Sequence, residues 1–259
     1  MNRMIAGLLL STAAMAAPAA AQTALGLTGD KTIVMIDPAT AAVTGSVEVE
    51  GVDRLLGIDY RPANMTLVGV TADQAIVEID PQTGATKEIS KMNTMLPLGD
   101  MPVIVDFNPA ADRLRFMTGT VNHRVHPDTG EVTVDGELNW EEGDANASAT
   151  PMVVATGYSN SYGKPEGTAM YNIDAGLSAL LQQTAPNDGV LKTIGSLGVT
   201  VEGPVALDIA TDADGMNTAW IAAMGGLHTV DLETGAVTGS WPITGLEGEV
   251  RDLTVWPAM

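Results

Sequence analysis

The sequence predicts an all-β protein: a five-bladed β-propeller with four antiparallel strands in each blade and one blade closed by strands from both termini. Two short phrases recur at intervals of about 50 residues, a spacing that is typical of propeller blades. The segments between them alternate polar and apolar residues with a period of two, as strands do, and helical periodicity is nearly absent.

The chain begins with a predicted cleavable signal peptide over residues 1–21. Arg3 precedes a short apolar run from Met4 to Ala17, and the run ends in small residues that suit cleavage after Ala21. Residues 22–259 are then expected to form a single propeller domain, exported to the periplasm or the extracellular space. An uncleaved membrane anchor is the alternative, but the run is short and rich in alanine for a membrane span.

The first recurring phrase predicts a hairpin turn between two strands. Its fullest form is Ile-Asp-Pro-Gln-Thr-Gly at 79–84, with variants at 36–40, 125–130 and 230–235. An Asp side chain can accept hydrogen bonds from backbone N–H groups two residues further on, and Gly tolerates a positive φ. We therefore expect the Asp and Thr residues of this phrase to serve the turn, with His126 standing in for the Asp of one copy.

The second phrase marks the first strand of each blade. It places Asp at 59, 106, 208 and 252, with Gly157 in the remaining repeat, in steps of 47, 51, 51 and 44 residues. The predicted blades span about Arg54–Ser90, Met101–Gly136, Met152–Leu197 and Pro204–Thr244, and the fifth combines Thr23–Val49 with Glu249–Trp256. A β-sandwich or a ring of four or six blades is the alternative.

The segment Asp106-Phe107-Asn108-Pro109, continued to Thr129-Gly130, resembles a family of exported bacterial proteins catalogued as domain of unknown function 4394. Further matching phrases lie at 57–63, 158–161 and 185–191, so the resemblance covers nearly the whole chain after the signal peptide. Ala41, Gly157 and Ser159 depart from the family pattern. The resemblance implies a propeller-like fold and export, and it implies no reaction.

Arginine side chains near this segment are candidate ligand-binding groups in an acidic protein. Arg113 and Arg115 point to the same face of a predicted strand, and Arg124 on the next strand could join them. A guanidinium group matches a carboxylate, so this is a candidate anion site. The alternative is ion pairing between blades, with Asp59, Asp106 or Asp112. The predicted ligand-binding residues are Asn108, Arg113, Arg115, Arg124, Tyr158 and Asn160.

The four aspartates on first strands are candidate metal ligands, because the first strand of each blade borders the central channel. Asp59, Asp106, Asp208 and Asp252 could form a ring of carboxylates that binds Ca²⁺ or Mg²⁺. Carboxyl groups more than about 10 Å apart could not share one ion. The alternative is that each Asp bonds to backbone or Arg in the neighbouring blade.

Composition excludes several classes of function. The formal charge of −20 opposes binding to nucleic acid and to anionic membranes, although acidity can also serve solubility alone. The chain has no cysteine and none of the common hydrolase or phosphate-binding motifs. We expect a monomeric, non-enzymatic scaffold that binds a small ligand, a cation or a protein. The alternative is a metal-dependent hydrolase or lyase with its site on the propeller axis.

Overall fold

A computed structural model describes residues 22–256, and the predicted signal peptide lies outside them. These residues form five sheets, in which neighbouring strands are antiparallel apart from one short parallel pair. No helix in this part of the chain is long and apolar enough to span a membrane.

The sheets are the five predicted blades, named here in chain order. Blade 1 contains β4 (Leu55–Arg61), β5 (Thr66–Thr71), β6 (Ala75–Ile79) and β7 (Thr86–Lys91). Blade 2 contains β8 (Val103–Asn108), β9 (Arg113–Thr118), β10 (Val121–Val125) and β11 (Val132–Val134). Blade 3 contains β13 (Val153–Tyr158), β14 (Met170–Asp174), β15 (Ala179–Ala185) and β16 (Val190–Ser196), with β12 (Asn139–Trp140) at its edge. Blade 4 contains β17 (Val205–Thr211), β18 (Asn217–Ala223), β19 (Gly226–Val230) and β20 (Val237–Pro242). Blade 5 contains β21 (Val250–Trp256), β1 (Thr23–Thr28), β2 (Thr32–Asp37) and β3 (Ala42–Glu48).

The blades close into a ring, so the prediction of a five-bladed propeller is confirmed. The innermost strands β4, β8, β13, β17 and β21 contact one another in that order, and β21 contacts β4 again. In blade 5, β21 from the carboxyl end pairs with β1 from the amino end, as expected. This pairing joins the two ends of the chain within one sheet.

The hydrophobic core is divided into five clusters, one between each pair of adjacent blades. Both faces of an inner strand are therefore covered, and every residue of β4 is buried. The outermost strands lie at the rim, where β3 alternates between half-buried and exposed residues. This gradient of burial explains why the outer strands carry the clearest alternation in the sequence.

Blade 3 has a fifth strand, whereas the sequence predicted four strands in each blade. Asn139 and Trp140 pair in parallel with β16, the outer strand of that blade. The segment is held there because the Asp144 carboxylate accepts hydrogen bonds from the Thr193 backbone N–H at 2.7 Å and its hydroxyl at 3.0 Å. The long acidic connection after blade 2 thus covers an otherwise open sheet edge.

The recurring turn phrase is confirmed as turn chemistry. The Asp80 carboxylate accepts hydrogen bonds from the backbone N–H groups of Gln82 and Thr83, and Asp37 and Asp231 act in the same way in their turns. In the copy that lacks Asp, the His126 Nδ1 atom accepts from the Asp128 N–H at 3.3 Å. Ala41, where the other copies have Gly, adopts a positive φ of 51°.

Candidate functional site on the propeller axis

Three of the predicted metal-binding aspartates meet at the centre of the ring. Asp59, Asp106 and Asp208 each offer one carboxylate oxygen, and these three atoms lie within 4.8 Å of one another. All three side chains are buried. Asp252 is half-buried on the fourth inner strand, close enough that its charge raises the pKa of Asp59 and Asp106. The carboxylate oxygens of Asp59, Asp106 and Asp208 therefore lie close enough together to share one ion.

Each of these aspartates also joins its blade to the next one around the ring. The inner strands are the edges of their sheets, so some of their N–H groups lack a partner within the sheet. A carboxylate from the preceding blade accepts these hydrogen bonds: Asp59 from Phe107 N–H, Asp106 from Tyr158 N–H, Asp208 from Val255 N–H and Asp252 from Ile58 N–H. The aspartates are therefore structural links between blades, whatever else they bind.

The junction between blades 3 and 4 has Gly157 in place of an Asp, and a different contact joins these blades. The Asn160 N–H donates to the Asn217 side chain at 2.9 Å, and the Asn217 amide donates back to Asn160 Oδ1 at 3.0 Å. The Ser161 hydroxyl donates to the Ile209 carbonyl at 2.9 Å. Asn160, predicted to bind a ligand, is thus engaged in this junction.

Burial raises the pKa of all four axial carboxyl groups. The pKa of Asp59 and of Asp106 lies well above the usual range, first through desolvation and then through the nearby carboxylates. Desolvation raises the pKa of Asp208 to about 6 and that of Asp252 to about 7, although both accept backbone hydrogen bonds that oppose the rise. Four negative charges are therefore unfavourable here, and protons or a cation must compensate them.

The axial carboxylates retain free coordinating capacity. A carboxylate has about four lone-pair positions, and one or two backbone N–H groups do not fill them. Within the described chain, the second oxygen of Asp106 accepts no hydrogen bond. Because Ca²⁺–oxygen distances are about 2.4 Å, two ligand oxygens of one ion lie at most about 4.8 Å apart. The three carboxylates fall within that limit.

Several predicted ligand-binding residues lie together at the junction of blades 2 and 3. Arg115 is buried, and its guanidinium donates to Asp135 at 2.7 Å, to Asn122 at 2.8 Å and to the Tyr158 hydroxyl at 3.3 Å. Arg124 forms two hydrogen bonds with the same Asp135 carboxylate, each of 3.0 Å. Both arginines therefore pair with Asp135 of their own blade, and not with Asp59, Asp106 or Asp112 as the inter-blade alternative from the sequence supposed.

The remaining predicted ligand residues, Asn108 and Arg113, flank the turn between β8 and β9. Asn108 accepts hydrogen bonds from the N–H groups of Ala110 and Ala111, as expected for a residue that caps this turn. Arg113 donates to the carbonyls of Ala111 and Asp112. These contacts separate Arg113 from the buried network around Arg115, although both residues lie on β9.

Sequence reasoning missed several residues that complete these sites. Asn122 lies within the segment that carries the family resemblance and Asp135 lies after it, and only the folded chain shows that both meet Arg115. The Thr254 hydroxyl accepts a hydrogen bond from the Tyr60 N–H and lowers the pKa of the nearby Asp59 and Asp208, and nothing in its strand distinguishes it from other threonines. Arg61 lies within one of the family phrases, and its buried guanidinium pairs with the more exposed carboxylates of Asp112 and Asp128.

A family model described as Domain of unknown function (DUF4394) matches residues 32–254. The chain belongs to this family. The match spans all five blades, so the family resemblance drawn from the Asp-Phe-Asn-Pro segment is confirmed. No curated protein matches the sequence.

Solved structures that align with this chain are distant from it in sequence. A structure described as a luciferin-regenerating enzyme aligns with a TM-score of 0.51 and 13% identity, over 91% of this chain and 80% of that chain. A structural genomics protein of unknown function from Bacteroides thetaiotaomicron aligns with a TM-score of 0.49 and 14% identity, over 93% and 68%. An auxiliary nutrient binding protein from Bacteroides ovatus aligns with a TM-score of 0.47 and 14% identity, over 76% and 55%. At these identities the likeness concerns the fold alone.

Proposed function

We propose that this protein is an exported, non-enzymatic propeller whose axis binds a divalent cation, Ca²⁺ in preference to Mg²⁺. The observation that carries the proposal is the convergence of oxygens from Asp59, Asp106 and Asp208 within 4.8 Å of one another. An ion at this position would be coordinated from three different blades. It would therefore bind the closed ring better than the open chain.

The preference for Ca²⁺ rests on distance and flexibility. Mg²⁺ requires oxygens at about 2.0–2.1 Å in a near-ideal octahedron, which limits opposite ligands to about 4.2 Å. Ca²⁺ accepts six to eight oxygens at longer and less regular distances. Carboxylates already held by backbone N–H groups cannot easily rearrange, so the ion with the more permissive geometry is favoured.

Electrostatics supports the same proposal. Desolvation and mutual repulsion raise the pKa of Asp59 and Asp106, so both carboxylates are unfavourable as isolated anions. A bound cation would replace protons on these groups and offset the repulsion. Binding should therefore weaken as the pH falls, because protons compete for the same oxygens.

The hydrogen bonds favour a binding or structural role over the alternative of a hydrolase or lyase. A metal that acts on a substrate needs an open coordination position beside groups that can transfer protons. Asp59, Asp208 and Asp252 accept backbone N–H groups with both carboxylate oxygens. These contacts hold the aspartates as fixed ligands and links between strands.

The experiment is a thermal-shift titration of the purified protein with Ca²⁺, Mg²⁺ and Mn²⁺ after treatment with EDTA. An ion present at 100 times its Kd would stabilise the fold by about 2.7 kcal/mol, and Ca²⁺ should give the largest shift. Asp106→Asn should abolish the shift, while Asp214→Asn, the same change of charge in an exposed turn, should leave it intact.

Two outcomes would contradict the proposal. The first is the absence of any shift at millimolar ion together with no metal retained on purification. The second is an equal Ca²⁺ shift in Asp106→Asn and in the unmodified protein, which would place the ion on exposed acidic loops.

A further inference from the structure

A funnel opens on the propeller axis at the end where the inner strands begin. It encloses about 360 Å³ and receives residues from the beginnings of β4, β8, β17 and β21, four of the five blades. Its lining residues are Arg54, Leu56, Leu98–Val103, Gly203–Val205 and Arg251. The axial aspartates are not part of this lining, so the funnel is a separate site.

Two guanidinium groups give the funnel a positive character in a chain whose formal charge is −20. Arg251 donates four of its five N–H groups to backbone carbonyls, those of Gly29, Asp30, Leu55 and Leu56, and none to a carboxylate. The Arg54 side chain is 56% exposed, and its Nε atom lies 3.6 Å from the Asp30 carboxylate, too far for a hydrogen bond. Arg54 thus has only a loose, solvent-exposed ion pair with Asp30, and Arg251 donates no hydrogen bond to a carboxylate of the described chain, in contrast to Arg61, Arg115 and Arg124.

Apart from Asp100, the side chains of the rest of the wall are apolar. Leu56, Leu98, Met101, Val103 and Val205 line the funnel, and Leu98 is 45% exposed to solvent. The exposed Leu98 therefore shares one cavity with two arginines. Together they match a molecule that has an anionic group at one end and hydrocarbon at the other.

We propose that the funnel binds a small organic monocarboxylate with a hydrocarbon tail. The planar fork of Arg54 would receive the carboxylate, and the remaining N–H of Arg251 would add to the positive field. The tail would cover Leu98, Met101 and Val103, which removes apolar surface from water. Asp100 also lines the funnel, so a second carboxylate on the ligand would be repelled and a monocarboxylate is favoured.

The test uses octanoate as the probe, titrated into the purified protein by calorimetry in the presence of EDTA. Removing metal makes this experiment independent of the proposed cation site, so the failure of one does not imply the failure of the other. Octanol and octylamine serve as neutral and cationic probes with the same tail, and acetate serves as the head group alone. Octanoate should bind at least about tenfold more tightly than octanol and octylamine, which lack the charge-assisted pair, and more tightly than acetate, which lacks the tail.

Variants assign the binding to the funnel. Arg54→Met keeps an unbranched side chain but removes the charge, and it should weaken octanoate at least about tenfold, as loss of a charge-assisted pair would. Leu98→Ser should weaken octanoate and leave acetate unchanged. Lys164→Met, which removes one exposed positive charge from the connection between β13 and β14 at the opposite end, should bind as the unmodified protein does. All these side chains are exposed, so the folded state should tolerate each change.

Methyl resonances of Met101 and Leu98 should shift on addition of octanoate. Equal affinity for octanol and octanoate would overturn the assignment of a carboxylate, and unchanged binding by Arg54→Met would overturn the role of that residue. Absence of octanoate binding at millimolar concentration would overturn the proposal as a whole.

Discussion

Asp208 should make the stability of the metal-free protein depend on pH in a direction opposite to that of ordinary paired carboxylates. Its folded pKa is about 6, against an ordinary value of 3.8, because it is buried on the axis. The folded state therefore holds a proton on this group at pH values where the unfolded chain has lost it. The resulting stabilisation is complete below about pH 3.8 and is lost as the pH rises through about 6.

The size of the effect follows from the shift. Between pH 8 and pH 5, a single group with these two pKa values adds about 1.4 kcal/mol to the free energy of unfolding. For a chain of this length, that corresponds to a rise in Tm of roughly 3–6 °C. The Asp208 charge also raises the pKa of Asp59 and Asp106, so their contributions have the same sign.

Other groups act differently in this pH range. Burial lowers the pKa of His123, so the unfolded chain takes up a proton more readily than the fold does below about pH 6.5. This term opposes the effect of Asp208. Exposed turn aspartates such as Asp80 and Asp231 have lowered pKa values, so their contribution to the stability of the fold is lost only at more acidic pH.

The assay is thermal unfolding in EDTA at pH 5, 6, 7 and 8, monitored by circular dichroism. Asp208→Asn removes the titrating group, so its Tm should change less with pH than that of the unmodified protein. Asp214→Asn provides the control with the same loss of charge in an exposed turn. A Tm that does not rise on acidification, or an identical pH profile in Asp208→Asn, would refute the reasoning.

Three further predictions concern the stability of the ring and are measured by urea unfolding. Gly57→Ala should destabilise the protein by about 2 kcal/mol, because the new Cβ atom would lie 2.5 Å from a carboxylate oxygen and 2.6 Å from a valine methyl; Gly99→Ala, with open space around it, should change little. Arg115→Met should destabilise by about 2–3 kcal/mol, since it removes one of the two arginines that pair with the buried Asp135 carboxylate, and a loss below 1 kcal/mol would show that the network is dispensable. Deleting residues 249–259 removes β21 and should abolish the cooperative transition, whereas deleting 257–259 should preserve it; a cooperative transition in the longer deletion would contradict closure through blade 5.

The residues that sequence patterns locate well are those whose role is local. The turn phrase places an Asp carboxylate two residues from the N–H that it caps, so its chemistry is visible in a few consecutive letters. His126, which replaces the Asp in one copy of the phrase, also accepts a backbone hydrogen bond in its turn, as its place in the repeat predicts. Strand β12 was not predictable in this way, because its two residues form a strand only through their pairing with β16, next to the contact of Asp144 with Thr193.

The candidate sites depend on contacts that are distant in the chain. The recurrence of Asp at one position predicted a ring of carboxylates, since equivalent positions of a repeat are related by the symmetry of the fold. Their partners could not be predicted: Asp59 accepts from Phe107, 48 residues away, and Asp252 accepts from Ile58, 194 residues away. The pairing of Arg115 with Asp135 depends likewise on how the outer part of blade 2 folds back.

The sequence by itself determined the number of blades, the strand order and the closure of the ring by both termini, because these follow from a periodic pattern and from the count of its copies. Only the tertiary structure decided how close the axial carboxylates lie, which N–H groups they accept and how the junction at Gly157 is joined. It also decided that Arg54 and Arg251 line one funnel. Distances and desolvation arise when blades pack together, and no stretch of consecutive residues encodes them.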